Sequence, residues 1–203
     1  MSTTGSRYAP AGAATGVGLW VFIGVVTSLF SLFIAAYVMR MAGADWSVIA
    51  MPWQLWLSTL LLVGASFALL RAGRAGREAR WRRARALLLA GAACTLAFLG
   101  VQLWAWQALL AIHVMPAGNP AASFFYLLTA MHGLHVLGGL YAWGVTTQAA
   151  WQPEDPARAA ELISLCARYW HFLLAVWLLL FATLSGLTPE VVDFICGTRA
   201  GAP

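Results

Sequence analysis

Long uninterrupted apolar runs, separated by short polar stretches, dominate the pattern along the chain. Five stand out, at about residues 16–39, 54–70, 86–113, 123–148 and 167–187. A helix needs about 20 apolar residues to cross the hydrocarbon core of a bilayer. The second run is short for this and begins nearer Met51. A membrane barrel would show short strands of alternating polarity, and none appears. The pattern predicts an all-α membrane protein, a bundle of five transmembrane helices over residues 16–187. A polar segment, 1–15, precedes it and lacks the apolar core of a signal peptide. A tail, 188–203, follows, and suits a short helix lying along the outer surface. No internal repeat is visible, which disfavours an inverted-repeat transporter.

Composition agrees with this reading. The chain is 62% hydrophobic and 9% charged, whereas a soluble domain carries about 25% charged residues. All twelve basic residues are arginine, and seven of them fall in "RAGRAGREARWRRAR", residues 71–85, against one glutamate. Arginine crowded into one loop is a topology signal and not a nucleic-acid surface. The positive-inside rule places this loop in the cytoplasm, hence the N-terminus cytoplasmic and the C-terminus periplasmic. Arg71, Arg74 and Arg82 in the loop are candidates for contact with anionic lipid heads or a partner subunit. Trp46, Trp53, Trp56 and Trp151 fall near the predicted membrane surfaces, as aromatic belts do. Cys94, Cys166 and Cys196 are too widely spaced for a CxxC motif, so neither a disulfide framework nor a zinc site is expected.

The chemistry available inside the membrane is sparse. The seven carboxylates, Asp45, Glu78, Glu154, Asp155, Glu161, Glu190 and Asp193, are all expected in loops or the tail. Pumps and proton-coupled carriers need titratable stations within the bilayer, so a complete proton wire through this chain is not expected. The exception is "FFYLLTAMHGLHVLGGLYAWG", residues 124–144, with two histidines in an apolar run. His132 and His135 are three residues apart and share a helix face. They are open to three readings: metal or haem ligands, proton carriers, or packing residues hydrogen-bonded to neighbouring helices or backbone carbonyls. The packing reading is favoured, because helix rise puts His135 and His171 roughly 10 Å apart in depth. His113 stands alone near the outer surface. His171, between Trp170 and Phe172, has an interfacial reading. Gly138–Gly139, Gly100 and Gly24 are expected to permit close helix contact.

The same stretch resembles the signature of subunit III of haem-copper terminal oxidases, in which a His-Gly-(Leu or Phe)-His-Val core lies in a late membrane helix. "YWHFLLAVWLLLF", residues 169–181, is similar to that family's last helix. "GLWVFIGVVTSLF", 18–30, and "LSTLLLVGAS", 57–66, are similar to the first two helices of its five-helix bacterial form. The resemblance covers roughly residues 16–187 in order. It implies a multi-pass subunit of the bacterial inner membrane with no redox centre of its own. Haem and copper are expected in partner chains, oxidase subunit I (catalytic) and subunit II. The complex would reduce dioxygen to water and pump protons, with cytochrome c or quinol as donor. This chain would stabilise the catalytic subunit and bind phospholipid in a cleft between its helices. Trp20, His132, His135, Trp170 and His171 join Arg71, Arg74 and Arg82 as its lipid or subunit-interface candidates. Val26, Gln102, Ala105 and Leu174 stand where family members carry acids, a departure that speaks against proton delivery. An accessory subunit of nitric oxide reductase, a membrane b-type cytochrome and an independent carrier are the competing functions.

Overall fold

The computed structural model describes residues 11–151 and 155–187. Their helices are α1 (Ala11–Arg40), α2 (Gln54–Arg77), α3 (Trp81–Ala111), α4 (Pro120–Trp151) and α5 (Pro156–Gly186). Each contains a stretch long and apolar enough to cross a membrane. The tail 188–203 with Cys196, Glu190 and Asp193, together with Glu154 and residues 1–10, lies outside the described residues.

Helix ends depart from hydropathy ends for identifiable reasons. The arginine-rich stretch is mostly helix, because Ala and Arg are strong helix formers, and the connection between α2 and α3 is only residues 78–80. There Ala79 takes the left-handed conformation at φ 55°. Its N–H donates to Gly76 O at 3.1 Å, and the N–H of Arg80 to Ala75 O at 2.9 Å. This is the Schellman pattern with alanine where glycine is usual. α3 closes the same way on His113, at φ 60°, with Val114 N–H donating to Leu109 O at 3.0 Å. α4 and α5 begin earlier than their apolar runs, each on a capping side chain followed by proline. Asn119 Oδ1 accepts from Ala122 N–H at 3.0 Å. Asp155 Oδ1 accepts from Ala157 and Arg158 N–H at 3.0 and 3.1 Å. The early start of α5 brings Glu161 inside a helix, correcting the expectation that every carboxylate lies in a loop or tail.

α5 is the hub of the bundle and packs against α1, α2 and α4; α2 and α3 form the tightest pair. Apolar attraction between helices is weak in lipid, so close approach of small residues does much of the packing. α2 buries Ala65, Ala68, Ala72, Gly73, Ala75 and Gly76. A β-carbon on Gly91 would lie 3.3 Å from Leu69 Cγ, and one on Gly76 3.2 Å from Ile163 Cδ1. The tightest contact is at Gly139 on α4, where a β-carbon would lie 2.8 Å from Trp170 and 2.9 Å from Tyr169. Gly24, Gly100 and Gly138 have open space instead, so the expected close approach belongs to Gly139 alone of those four. α1 is seated on α5 and α4.

Candidate functional site

Three threonines among the polar side chains of the bundle hold one helix to another. Three tryptophans donate their indole N–H to a threonine on another helix: Trp106 to Thr129 at 3.1 Å, Trp170 to Thr95 at 3.2 Å and Trp177 to Thr59 at 2.9 Å. These pairs join α3 to α4, α5 to α3 and α5 to α2. Each threonine gives its own hydrogen to the carbonyl four residues back, Phe125, Gly91 and Leu55, at 2.7 to 2.9 Å. Every group in the relay is thereby satisfied, as the absence of water in a bilayer core demands. Sequence reasoning missed these pairs: it gave Trp106 and Trp177 no role and took Trp170 for a lipid or subunit-interface residue. The signal was a tryptophan or threonine in the middle of an apolar run.

His132 behaves otherwise. It is 0% exposed, and neither ring nitrogen has a hydrogen-bond partner. Its neighbours are rings: Trp177 at 5.2 Å between centroids, Phe98 at 6.0 Å and Phe30 at 6.5 Å. The expectation of a hydrogen-bonded His132 is therefore corrected; it is a packing residue held by aromatic edges. Gln102 Oε1 on α3 is likewise buried without a partner. His135 fits the hydrogen-bonded reading, but within its own helix. Its Nδ1 lies 2.7 Å from Met131 O, so Nδ1 carries the hydrogen, since a carbonyl only accepts. Its backbone carbonyl accepts from the Tyr169 hydroxyl at 2.9 Å.

Phe22 and Phe30 on α1 flank the His135 ring at 6.1 and 5.4 Å, and buried Val26 lies one turn from each. Gln102 and Ala105 are also buried, and Leu174 is half-buried. These four neutral side chains accordingly face the packed interior. Among the described residues no three His, Cys, Asp or Glu side chains gather in a group able to hold a metal ion.

At the arginine-rich end a cleft of about 400 Å³ opens between α1, α2 and α5, with Trp20, Arg77, Arg168 and His171 in its wall. Trp20 is 61% exposed and His171 is exposed, with His171 Nδ1 directed at Ala167 O at 2.6 Å. Trp170, only 1% exposed, points into the bundle. Neither it nor His132 presents its side chain to lipid or to a second chain in this arrangement. Arg71 lies over the Phe67 ring at 4.4 Å, and Arg71, Arg74 and Arg82 are all exposed. Arg85, part of the same cluster, is turned inward and donates to Ala150 O at 3.0 Å.

No family model matches the chain. It is similar over nearly its whole length to several bacterial proteins. It is 28% identical over 185 residues to cytochrome bo(3) ubiquinol oxidase subunit 3 of Pseudomonas aeruginosa, covering 85% of each chain. To cytochrome c oxidase subunit 3 of Thermostichus vulcanus it is 29% identical over 177 residues, covering 85% of this chain and 87% of the other. A shorter stretch of 65 residues, 30% of each chain, is 43% identical to the probable cytochrome c oxidase subunit 3 of Nocardia farcinica.

Proposed function

We propose that this chain, a homologue of the cytochrome c and quinol oxidase subunit III family, is the non-redox structural subunit of a haem-copper terminal oxidase in the bacterial inner membrane. The observation that carries the reading is the similarity, over 85% of this chain, to relatives named as oxidase subunits. The interior agrees with it, since the Trp–Thr pairs tie helix to helix. Haem and copper belong to the partner chains, subunits I and II, where dioxygen is reduced and protons are pumped. This chain braces the catalytic subunit and holds phospholipid.

The exposed arginines at the α2–α3 turn support a cytoplasmic position for that end, with the N-terminus inside and the C-terminus in the periplasm. Trp20, His171, Arg71, Arg74 and Arg82 are the side chains assigned to lipid or a neighbouring subunit. His135 is half-buried against α1 and α5, and His132 and Trp170 lie in the core.

The test is affinity purification of the tagged chain from native membranes, followed by deletion of its gene. The expected result is co-purification of a large haem- and copper-bearing subunit that keeps its haem but loses yield or durability without this chain. Recovery of a nitric oxide reductase large subunit would move the chain to that enzyme. A haem absorption band in the isolated polypeptide would overturn the non-redox role.

A further inference from the structure

The turn joining α2 to α3 gathers more positive charge than its own residues neutralise. Arg71 and Arg74 from α2, Arg80 from the turn and Arg83 from α3 line one cavity of about 160 Å³, together with Ala75 and Glu78. The carboxylate in that lining, Glu78, is paired with Arg80. Among the described residues the ion pairs are Arg40–Asp45 and Arg80–Glu78, so Arg71, Arg74 and Arg83 have no carboxylate partner there. Arg71 is held over the Phe67 ring at 4.4 Å. The start of α3 adds to the charge. It has no side-chain cap and no acid in its first turn, and Ala84 N–H is the first to reach a helical acceptor, Arg80 O at 3.0 Å. The N–H groups before it are left without one. A helix N-terminus carries roughly half a positive charge and favours anions, not cations. The positive-inside rule accounts for arginine on one side of a membrane. It does not account for three unpaired guanidiniums around one cavity.

Guanidiniums lining a small cavity fit a compact oxyanion. We propose that this cavity binds one inorganic phosphate, held by Arg71, Arg74 and Arg83, and that the bound ion ties the end of α2 to the start of α3. Size and charge select the ligand. Pockets for drug-sized ligands run to about 300–1,000 Å³, so this cavity takes a phosphate group and not a nucleoside behind it. A multiply charged anion answers three unpaired cations better than a monovalent one. Its oxygens accept charge-assisted hydrogen bonds from several guanidiniums at once. A lipid phosphate suits the cavity poorly. Apart from Ala75 the lining has no apolar residue, so an acyl chain would have no wall to follow. Phosphate binding here is independent of the oxidase reading. It narrows the assignment of Arg71 and Arg74 to a soluble anion, and leaves Arg82, outside the lining, to lipid or a neighbouring subunit.

The full chain is purified in mild detergent and exchanged into chloride buffer. Inorganic phosphate is titrated by calorimetry, and thermal unfolding is followed in phosphate and in chloride of equal ionic strength. The wild type is expected to bind one phosphate per chain and to unfold at a higher temperature in phosphate than in chloride. In R74Q the affinity falls about tenfold or more, the loss of one hydrogen bond to a charged group. R82Q removes the same charge from the same turn outside the cavity, and stays within about twofold of the wild type, as a solvent-screened charge should. R74K keeps the charge and most of the binding, which guards against a variant that simply fails to fold. Equal weakening by R74Q and R82Q would mean a diffuse basic face and overturns the proposal, as does equal protection by chloride. Phosphatidylglycerol displacing phosphate at equal concentration transfers the cavity to a lipid headgroup and likewise overturns it. A chain that co-purifies with an oxidase but binds no phosphate loses this site and keeps its function; one that binds phosphate without an oxidase partner does the reverse.

Discussion

Adding one methyl group at Gly139 tests the helix packing most directly. In Gly139→Ala the new carbon would sit 2.8 and 2.9 Å from two atoms of the Trp170 ring and 2.9 Å from Tyr169 Cε1. Carbon atoms pack best at about 3.5–4.0 Å, so at least half an ångström must open at three contacts. Neither ring is free to yield. Trp170 is fixed by its hydrogen bond to Thr95 at 3.2 Å, and Tyr169 by its bond to the His135 carbonyl at 2.9 Å. Relief therefore requires α4 to move away from α5, loosening the hub. Overpacking of this kind costs about 1–3 kcal/mol, and the better helix propensity of alanine returns up to about 1 kcal/mol. The neighbouring Gly138→Ala receives that same return in open space and is the matched control. Reversible unfolding of both variants in detergent should show Gly139→Ala destabilised by about 1–2 kcal/mol and Gly138→Ala unchanged or slightly stabilised. Equal behaviour of the two would refute the claim that Gly139 sets the α4–α5 distance.

Four further outcomes are expected. Ala79→Gly should stabilise the chain by about 1 kcal/mol, because a non-glycine residue in the left-handed conformation costs roughly that; a loss of unfolding free energy would count against the turn geometry. Thr59→Val leaves the Trp177 indole N–H without an acceptor and should cost about 1 kcal/mol, between the membrane average and the value for a buried unpaired donor. A double-mutant cycle with Trp177→Phe should then show positive coupling, and strict additivity would deny the pair. His132→Leu should leave stability unchanged or raise it by up to about 1 kcal/mol, because it removes two unpaired polar atoms from a ring-lined site; a clear loss would reveal a bridging water. The carboxyl of Asp45 is held below the ordinary carboxylate range, chiefly by its hydrogen bond from Arg40. A lowered value means the contact is complete above the ordinary range and is lost as pH falls through the lowered one. The carboxyl carbon shift of labelled Asp45 against pH tests this, and a midpoint at or above the ordinary value would contradict the pairing.

The five helices were legible in the sequence because hydropathy reports the one thing a bilayer demands of every span. Their ends were less so. The arginine stretch left the hydropathy pattern while its alanines kept the helix going, and α5 began well before its apolar run. The pairs Asn119–Pro120 and Asp155–Pro156 were readable start signals that a hydropathy reading passes over. The interior was harder still. His132 and His135 share a face, but the partner of each depends on which rings arrive from α1, α3 and α5, which no local pattern encodes. The three Trp–Thr bonds join residues from 23 to 118 positions apart on different helices. Only the folded bundle places them together.

The central position of α5 has a consequence for how the protein is made. It is the last of the five helices to leave the ribosome, yet the first leans on it, as do the second and fourth. Until α5 is translated, α1 waits in the membrane without its main neighbour. A chain stalled or clipped ahead of Pro156 would leave that helix leaning on α4 without its larger support.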